Sequence, residues 1–126
     1  MPLDDPKSWR EYVRIDTMLP FAYCSIAETQ MPEPGRVKLN LSLGGVGFIA
    51  NHPLKLDDML LIAITLPSSP VLHVVARVVR IEPVAGDASM QLVGARFTSL
   101  KLRDEDRLHN YIVAVQREGV SHPDDG

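Results

Sequence analysis

A single cysteine, Cys24, leaves no partner for an intrachain disulfide. Set between Tyr23 and Ser25 in an apolar stretch, with no basic neighbour to lower its pKa, it reads as a buried structural thiol. Positive charge is not in excess either. The 13 Lys and Arg against 16 Asp and Glu leave a formal net charge of -3, which argues against a protein that coats a nucleic acid polymer or an anionic membrane. A local pocket for a small anion stays open, because that needs only a few well-placed arginines. Long apolar runs are missing: Met59 to Leu66 is the longest apolar-rich stretch and is far too short to span a bilayer. The opening Met-Pro-Leu-Asp-Asp-Pro has no basic region followed by an apolar run, so no secretory leader is legible. The expected location is cytoplasmic, with no membrane insertion. His52, His73, His109 and His122 are scattered without ligand-like spacing, so no metal site is expected.

What is present is an ordinary globular composition, 45% apolar and 23% charged over 126 residues, which fits one domain with its own core. A chain of this length buries about two thirds of its unfolded surface and needs no metal or disulfide staple. Pro2 and Pro6 mark residues 1–8 as an unpaired leader. Phe21 to Ile26 reads as a strand. Arg36, Lys38 and Asn40 alternate with Val37, Leu39 and Leu41, the period of a half-buried strand. Val46 to Ala50, Met59 to Leu66, Val71 to Ile81 and Met90 to Phe97 follow, with Leu72, Val74, Ala76 and Val78 on one face. Their separators are the Ser42-to-Gly45 turn, His52-Pro53, Pro67 to Pro70 and Ala85-Gly86-Asp87. Met18, Met31, Met59 and Met90 read as core or turn fillers.

The pattern then changes period. Leu108, Tyr111, Ile112 and Val115 form the apolar face of a helix from about Asp104 to Arg117, and Gly119 can stop it. Residues 119–126 read as a disordered tail, leaving 9–118 as the domain. Five or six short strands and one helix predict a mainly β fold, a small antiparallel barrel or sandwich whose open end the helix covers.

Two segments carry candidate chemistry. In Arg10-Glu11-Tyr12-Val13-Arg14 the two guanidiniums can clasp phosphate oxygens or the O6/N7 edge of a guanine by paired hydrogen bonds. Equally, they can form a solvated charged turn with Glu11 as internal partner. In Asn40-Leu41-Ser42-Leu43-Gly44-Gly45, Asn40 and Ser42 can hydrogen-bond the turn backbone or point together at a polar ligand. Gly44 and Gly45 permit positive φ or the close approach of a backbone or ligand.

Taken together, Arg-x-x-x-Arg at Arg10 and Arg14 followed by Asn-x-Ser-x-x-Gly at Asn40, Ser42 and Gly45 resembles the PilZ domain family. The flanks are similar too: Arg14-Ile15 leading to Leu19-Pro20-Phe21, then Arg77-Val78-Val79-Arg80-Ile81, then Val93-Gly94-Ala95-Arg96-Phe97. The resemblance runs from about Trp9 to Val115. It implies a six-stranded antiparallel β-barrel with one C-terminal α-helix, binding cyclic di-GMP on its outside. By the same likeness Arg10 and Arg14 would meet phosphates and guanine edges, Asn40 and Ser42 would hydrogen-bond a guanine, and Gly45 would allow close approach.

Lys7, Ser8 and Trp9 stand where family members often carry further arginines. Fewer cations imply one ligand molecule and moderate affinity. Trp9 reads as packing on the barrel, with stacking on a guanine as the alternative. Arg77 and Arg80, near the end of one strand, read as a solvated strand end, with a place at the edge of the ligand surface as the alternative. The implied function is a cyclic di-GMP receptor or adaptor that changes conformation and signals to an unidentified protein effector. It is not an enzyme, since no nucleophile–base pair is legible, and it needs no cofactor beyond its ligand. The alternative is a PilZ-like interaction module that does not bind the nucleotide.

Overall fold

The alternation of β-branched and apolar residues with polar ones is realised as six strands. A computed structural model describes residues 13–28, 30–51 and 53–121 of the chain. The strands are β1 (Ile15–Ser25), β2 (Gly35–Leu41), β3 (Gly45–Ala50), β4 (Met59–Thr65), β5 (Val71–Val84) and β6 (Asp87–Ser99), and the helix is α1 (Leu102–Ser121). All pairings are antiparallel, and the sheet closes into a barrel in the order β1-β2-β3-β6-β5-β4. Closure removes the free strand edges an open sheet would expose.

Inward positions follow the sequence period. Leu72, Val74, Ala76 and Val78 on β5 are buried, as are Leu39 and Leu41 on β2 and Val46, Phe48 and Ala50 on β3. Phe48 reaches across the interior to Phe21 and Tyr23 of β1, with ring centroids 4.9 Å from each. The tilted rings fill space that smaller side chains would leave open. Cys24 is buried, as its apolar setting implied.

On α1, Leu108 and Ile112 enter the same core, and Tyr111 and Val115 pack against it. Two polar ties orient the helix. Tyr111 and Thr17 of β1 share a hydroxyl–hydroxyl hydrogen bond. Arg107 donates to the Pro70 carbonyl oxygen at the β4–β5 turn and to Asp104 Oδ1.

The structure extends several elements beyond the expected bounds. β1 begins at Ile15 rather than Phe21 and runs through Pro20. Residues 15–21 pair with β2, whereas the ladder to β4 begins only at Phe21, so on that side Pro20 interrupts nothing. β5 and β6 continue to a tight turn at Ala85-Gly86, with Gly86 at φ 84°. Beyond Arg77, β5 has β6 as its sole strand neighbour, and residues 84–90 also lie beyond the β3–β6 ladder, so this two-stranded tip has no buried face to impose an apolar alternation. α1 passes through Gly119 to Ser121: glycine weakens a helix by about 1 kcal/mol but does not block it as proline does. Met18 is not a core filler; it is exposed on the outer face of β1, and Val37 is exposed near the start of β2. Among the described residues no helix is long and apolar enough to cross a membrane.

Candidate functional site

Side chains alternate across a strand, so register decides which outward residues become neighbours. One outward row crosses five strands through successive partners: Asp16 on β1, Asn40 on β2, Gly47 on β3, Gly94 on β6 and Arg80 on β5. A second row joins Gly45 on β3, Arg96 on β6 and Arg77 on β5. Val46, Ala95 and Val78 lie between the two rows and are buried on the inside. The centre of this outer surface is therefore bare backbone, with arginines along one side.

A register shift between Val78 and Arg80 makes that arrangement possible. Strict alternation from Arg77 would turn Arg80 into the core. The extra residue, Val79, resets the phase as β-bulges do, and Arg77, Val79 and Arg80 all come to line the outer cleft. Its volume is 540 Å³, and its lining also includes Arg14, Ser42, Gly44, Gly45, Gly47, Gly94 and Arg96.

The predicted site residues occupy different places in this cleft. Arg14, just before β1, lines it and donates from Nη1 to Asn40 Oδ1 at 2.9 Å. Asn40, at the rim, in turn donates from Nδ2 to Asp16 Oδ1 at 3.0 Å. Ser42 is buried, with its Oγ 3.2 Å from the amide nitrogens of both Gly44 and Gly45 and 3.4 Å from the Gly45 carbonyl oxygen. One hydroxyl has a single proton and two lone pairs. Ser42 thus spends its capacity on the turn, and contact with a ligand would require it to release one of these bonds. Gly45 does meet a close approach, from the backbone of β6: a Cβ there would overlap the Ala95 carbonyl oxygen. Arg10 and Trp9 lie outside the described residues.

Arg77 and Arg80 sit in mid-strand rather than at a solvated strand end. Arg77 Nη1 is 3.8 Å from Asp57 Oδ1 and Arg80 Nε is 3.4 Å from Glu82 Oε2, both pairs exposed enough for solvent to screen them. No partner among the described residues holds Arg96. Sequence reasoning missed Arg96 and Asp16 as neighbours of the site, although alternation from buried Val93 and Ala95 already turns Arg96 outward. The floor glycines were missed too. Gly47 and Gly94 have room for a Cβ, whose nearest neighbours would be Asn40 Cβ at 3.5 Å and Arg80 Cβ at 3.4 Å.

The barrel thus carries Arg14 and the Asn-x-Ser-x-x-Gly turn on one outer face. The family model for the PilZ domain matches residues 9–114. The chain belongs to the PilZ domain family.

Solved structures place this PilZ domain among similar folds. It is similar to the inhibitor of motility MotI/DgrA of Bacillus subtilis, with TM-score 0.70, 20% identity, and coverage of 86% of this chain and 52% of that one. YcgR of Escherichia coli in complex with c-di-GMP gives TM-score 0.69 and 24% identity over 92% of this chain and 50% of that one. The PilZ domain of YcgR with c-di-GMP gives TM-score 0.66 and 23% identity over 93% and 98%. The chain thus spans about half the length of MotI/DgrA and YcgR, and nearly all of the separate YcgR domain. A search of curated protein sequences found no match. The matched family is one of binding modules, and no catalytic family is indicated.

Proposed function

We propose that this PilZ domain is a cyclic di-GMP receptor whose ligand lies across the outer cleft between Arg14 and the β5–β6 arginines. The observation that carries the reading is the pairing of four arginines, Arg14, Arg77, Arg80 and Arg96, with a floor of bare glycine backbone. The ligand has two phosphate charges and two flat bases. Guanidinium forks suit phosphate oxygens and guanine O6/N7 edges, and a floor without side chains lets a flat ring approach the sheet. The two YcgR structures hold c-di-GMP on the same fold, which supports the choice of ligand.

In this reading Arg10 and Arg14 clasp phosphate and guanine, Asn40 accepts from a guanine at the rim, and Ser42 and Gly45 form the turn against which the ligand rests. The expected count remains one ligand molecule, because Lys7, Ser8 and Trp9 leave fewer cations than the four phosphates of a stacked pair would need. The three arginines from β5 and β6 raise the expected affinity above what the leader alone implied. Binding would draw the segment carrying Arg10 onto the barrel and alter the surface offered to a protein effector. Titration calorimetry with cyclic di-GMP tests the reading. Sub-micromolar to low-micromolar binding at one per chain is expected, and binding no tighter than about 100 μM at moderate salt would leave the interaction-module reading in its place.

A further inference from the structure

Asn40 makes two side-chain hydrogen bonds of opposite sense. Its Oδ1 accepts from Arg14, and its Nδ2 donates to Asp16, its direct partner in the β1–β2 register. A half-turn of the amide would exchange O and N. It would then set amide hydrogens against the guanidinium and the carbonyl oxygen against the carboxylate. Both neighbours select the same orientation.

We infer that Asp16 is a positioning residue for base recognition: by holding Asn40 Nδ2, it keeps Asn40 Oδ1 beside the Arg14 guanidinium as a fixed acceptor. The inference rests on the cyclic di-GMP reading above and names how that site would choose its base. Guanine presents the O6 acceptor next to the N1–H donor. A second guanidinium N–H of Arg14, beside the one that holds Asn40 Oδ1 at 2.9 Å, and that Oδ1 offer the complementary donor and acceptor. Adenine, held in the same orientation by its sugar–phosphate ring, presents an N6 donor next to the N1 acceptor and meets the pair in the wrong order. A carbonyl oxygen has two lone pairs, so Oδ1 can keep Arg14 and still accept from a base. Where a phosphate draws Arg14 aside, Asp16 is the neighbour that still sets the amide.

This dependence on Asp16 must vanish if the acceptor is built into residue 40. In Asn40→Asp the carboxylate offers only acceptors, and Asp16 becomes a like-charged neighbour rather than an anchor. The experiment is titration of the full chain with cyclic di-GMP and with its adenine counterpart, cyclic di-AMP, in wild type, D16A, N40D and D16A/N40D. D16A is expected to weaken cyclic di-GMP binding about fivefold and to narrow the preference over the adenine ligand. In the N40D background, removing Asp16 is expected to leave affinity unchanged or to raise it. Equal losses in both backgrounds with base preference intact would show a merely structural Asp16 and overturn the inference, as would unchanged binding in D16A. Wild type that fails to bind cyclic di-GMP overturns the receptor reading first, and is told apart because the failure precedes any substitution.

Discussion

Gly45 on β3 runs so close to Ala95 on β6 that a Cβ at position 45 would overlap the Ala95 carbonyl oxygen and lie 3.2 Å from its carbonyl carbon. The neighbour is strand backbone, which cannot swing aside as a side chain can. This glycine is therefore demanded by barrel closure before any ligand is considered. Gly45→Ala is expected to destabilise the fold by about 1–3 kcal/mol, the usual cost of overpacking, read from the midpoint of chemical denaturation.

Gly47 and Gly94 make the opposite prediction. A Cβ at either would meet its nearest neighbour at 3.5 Å or 3.4 Å, ordinary contact, and alanine loses less backbone entropy in a strand. Gly47→Ala and Gly94→Ala are expected to keep or slightly raise stability, by up to about 1 kcal/mol. A methyl on the cleft floor is expected to weaken cyclic di-GMP about tenfold. Thermal melts and calorimetry on the same samples separate the two effects.

How much of this the sequence made legible depends on how regular each element is. The inward set Leu72, Val74, Ala76 and Val78 was read directly, because a closed barrel enforces period two on a strand with one face in the core. The helix face through Leu108 and Ile112 was legible for the same reason at period 3.6. The extension of β1 back to Ile15 was not, since Pro20 reads as a break until the ladder to β4 is known to start at Phe21. In the cleft, the Asn40-to-Gly45 turn stood out by composition. Arg80 could not be placed, because only the bulge at Val79 turns it outward, and a bulge is fixed by pairing with β6 rather than by local pattern. Asp16 and Arg96 are separated from the motif by whole strands, and register alone brings them to it.

The helix is held chiefly by apolar contact. Leu108 and Ile112 are buried in the barrel core, whereas its polar links are the two ties from Tyr111 to Thr17 and from Arg107 to Pro70. Leu108→Ala is expected to cost about 2–5 kcal/mol by loss of transfer energy and creation of a cavity. Denaturant titration followed by far-UV circular dichroism measures it, and helix and barrel are expected to unfold in one transition.

Arg14 is the described member of the arginine pair, and it touches both the cleft and Asn40. Arg14→Ala is expected to weaken cyclic di-GMP by about 2 kcal/mol or more, as removal of a charged hydrogen-bonding partner does. Fold stability is expected to change little, since its bond to Asn40 is exposed. Calorimetry beside a thermal melt gives both values.

The β5–β6 arginines differ in what they must give up. Arg77 faces Asp57 at 3.8 Å and Arg80 faces Glu82 at 3.4 Å, so each meets a ligand phosphate only in competition with an acid. Arg96 lies between Gly45 and Arg77 in the same row and has no such competitor among the described residues. Arg96→Ala is therefore expected to weaken cyclic di-GMP more than Arg77→Ala, by about 1.5 kcal/mol against less than about 1 kcal/mol. Removing the competitor is expected to act in reverse. Asp57→Asn frees Arg77 while keeping side-chain shape, and is expected to tighten binding about twofold to threefold, an effect that shrinks as salt screens the pair. Titrations of the three variants at two ionic strengths measure the order, and an Arg77→Ala loss larger than that of Arg96→Ala would show that the acid does not compete.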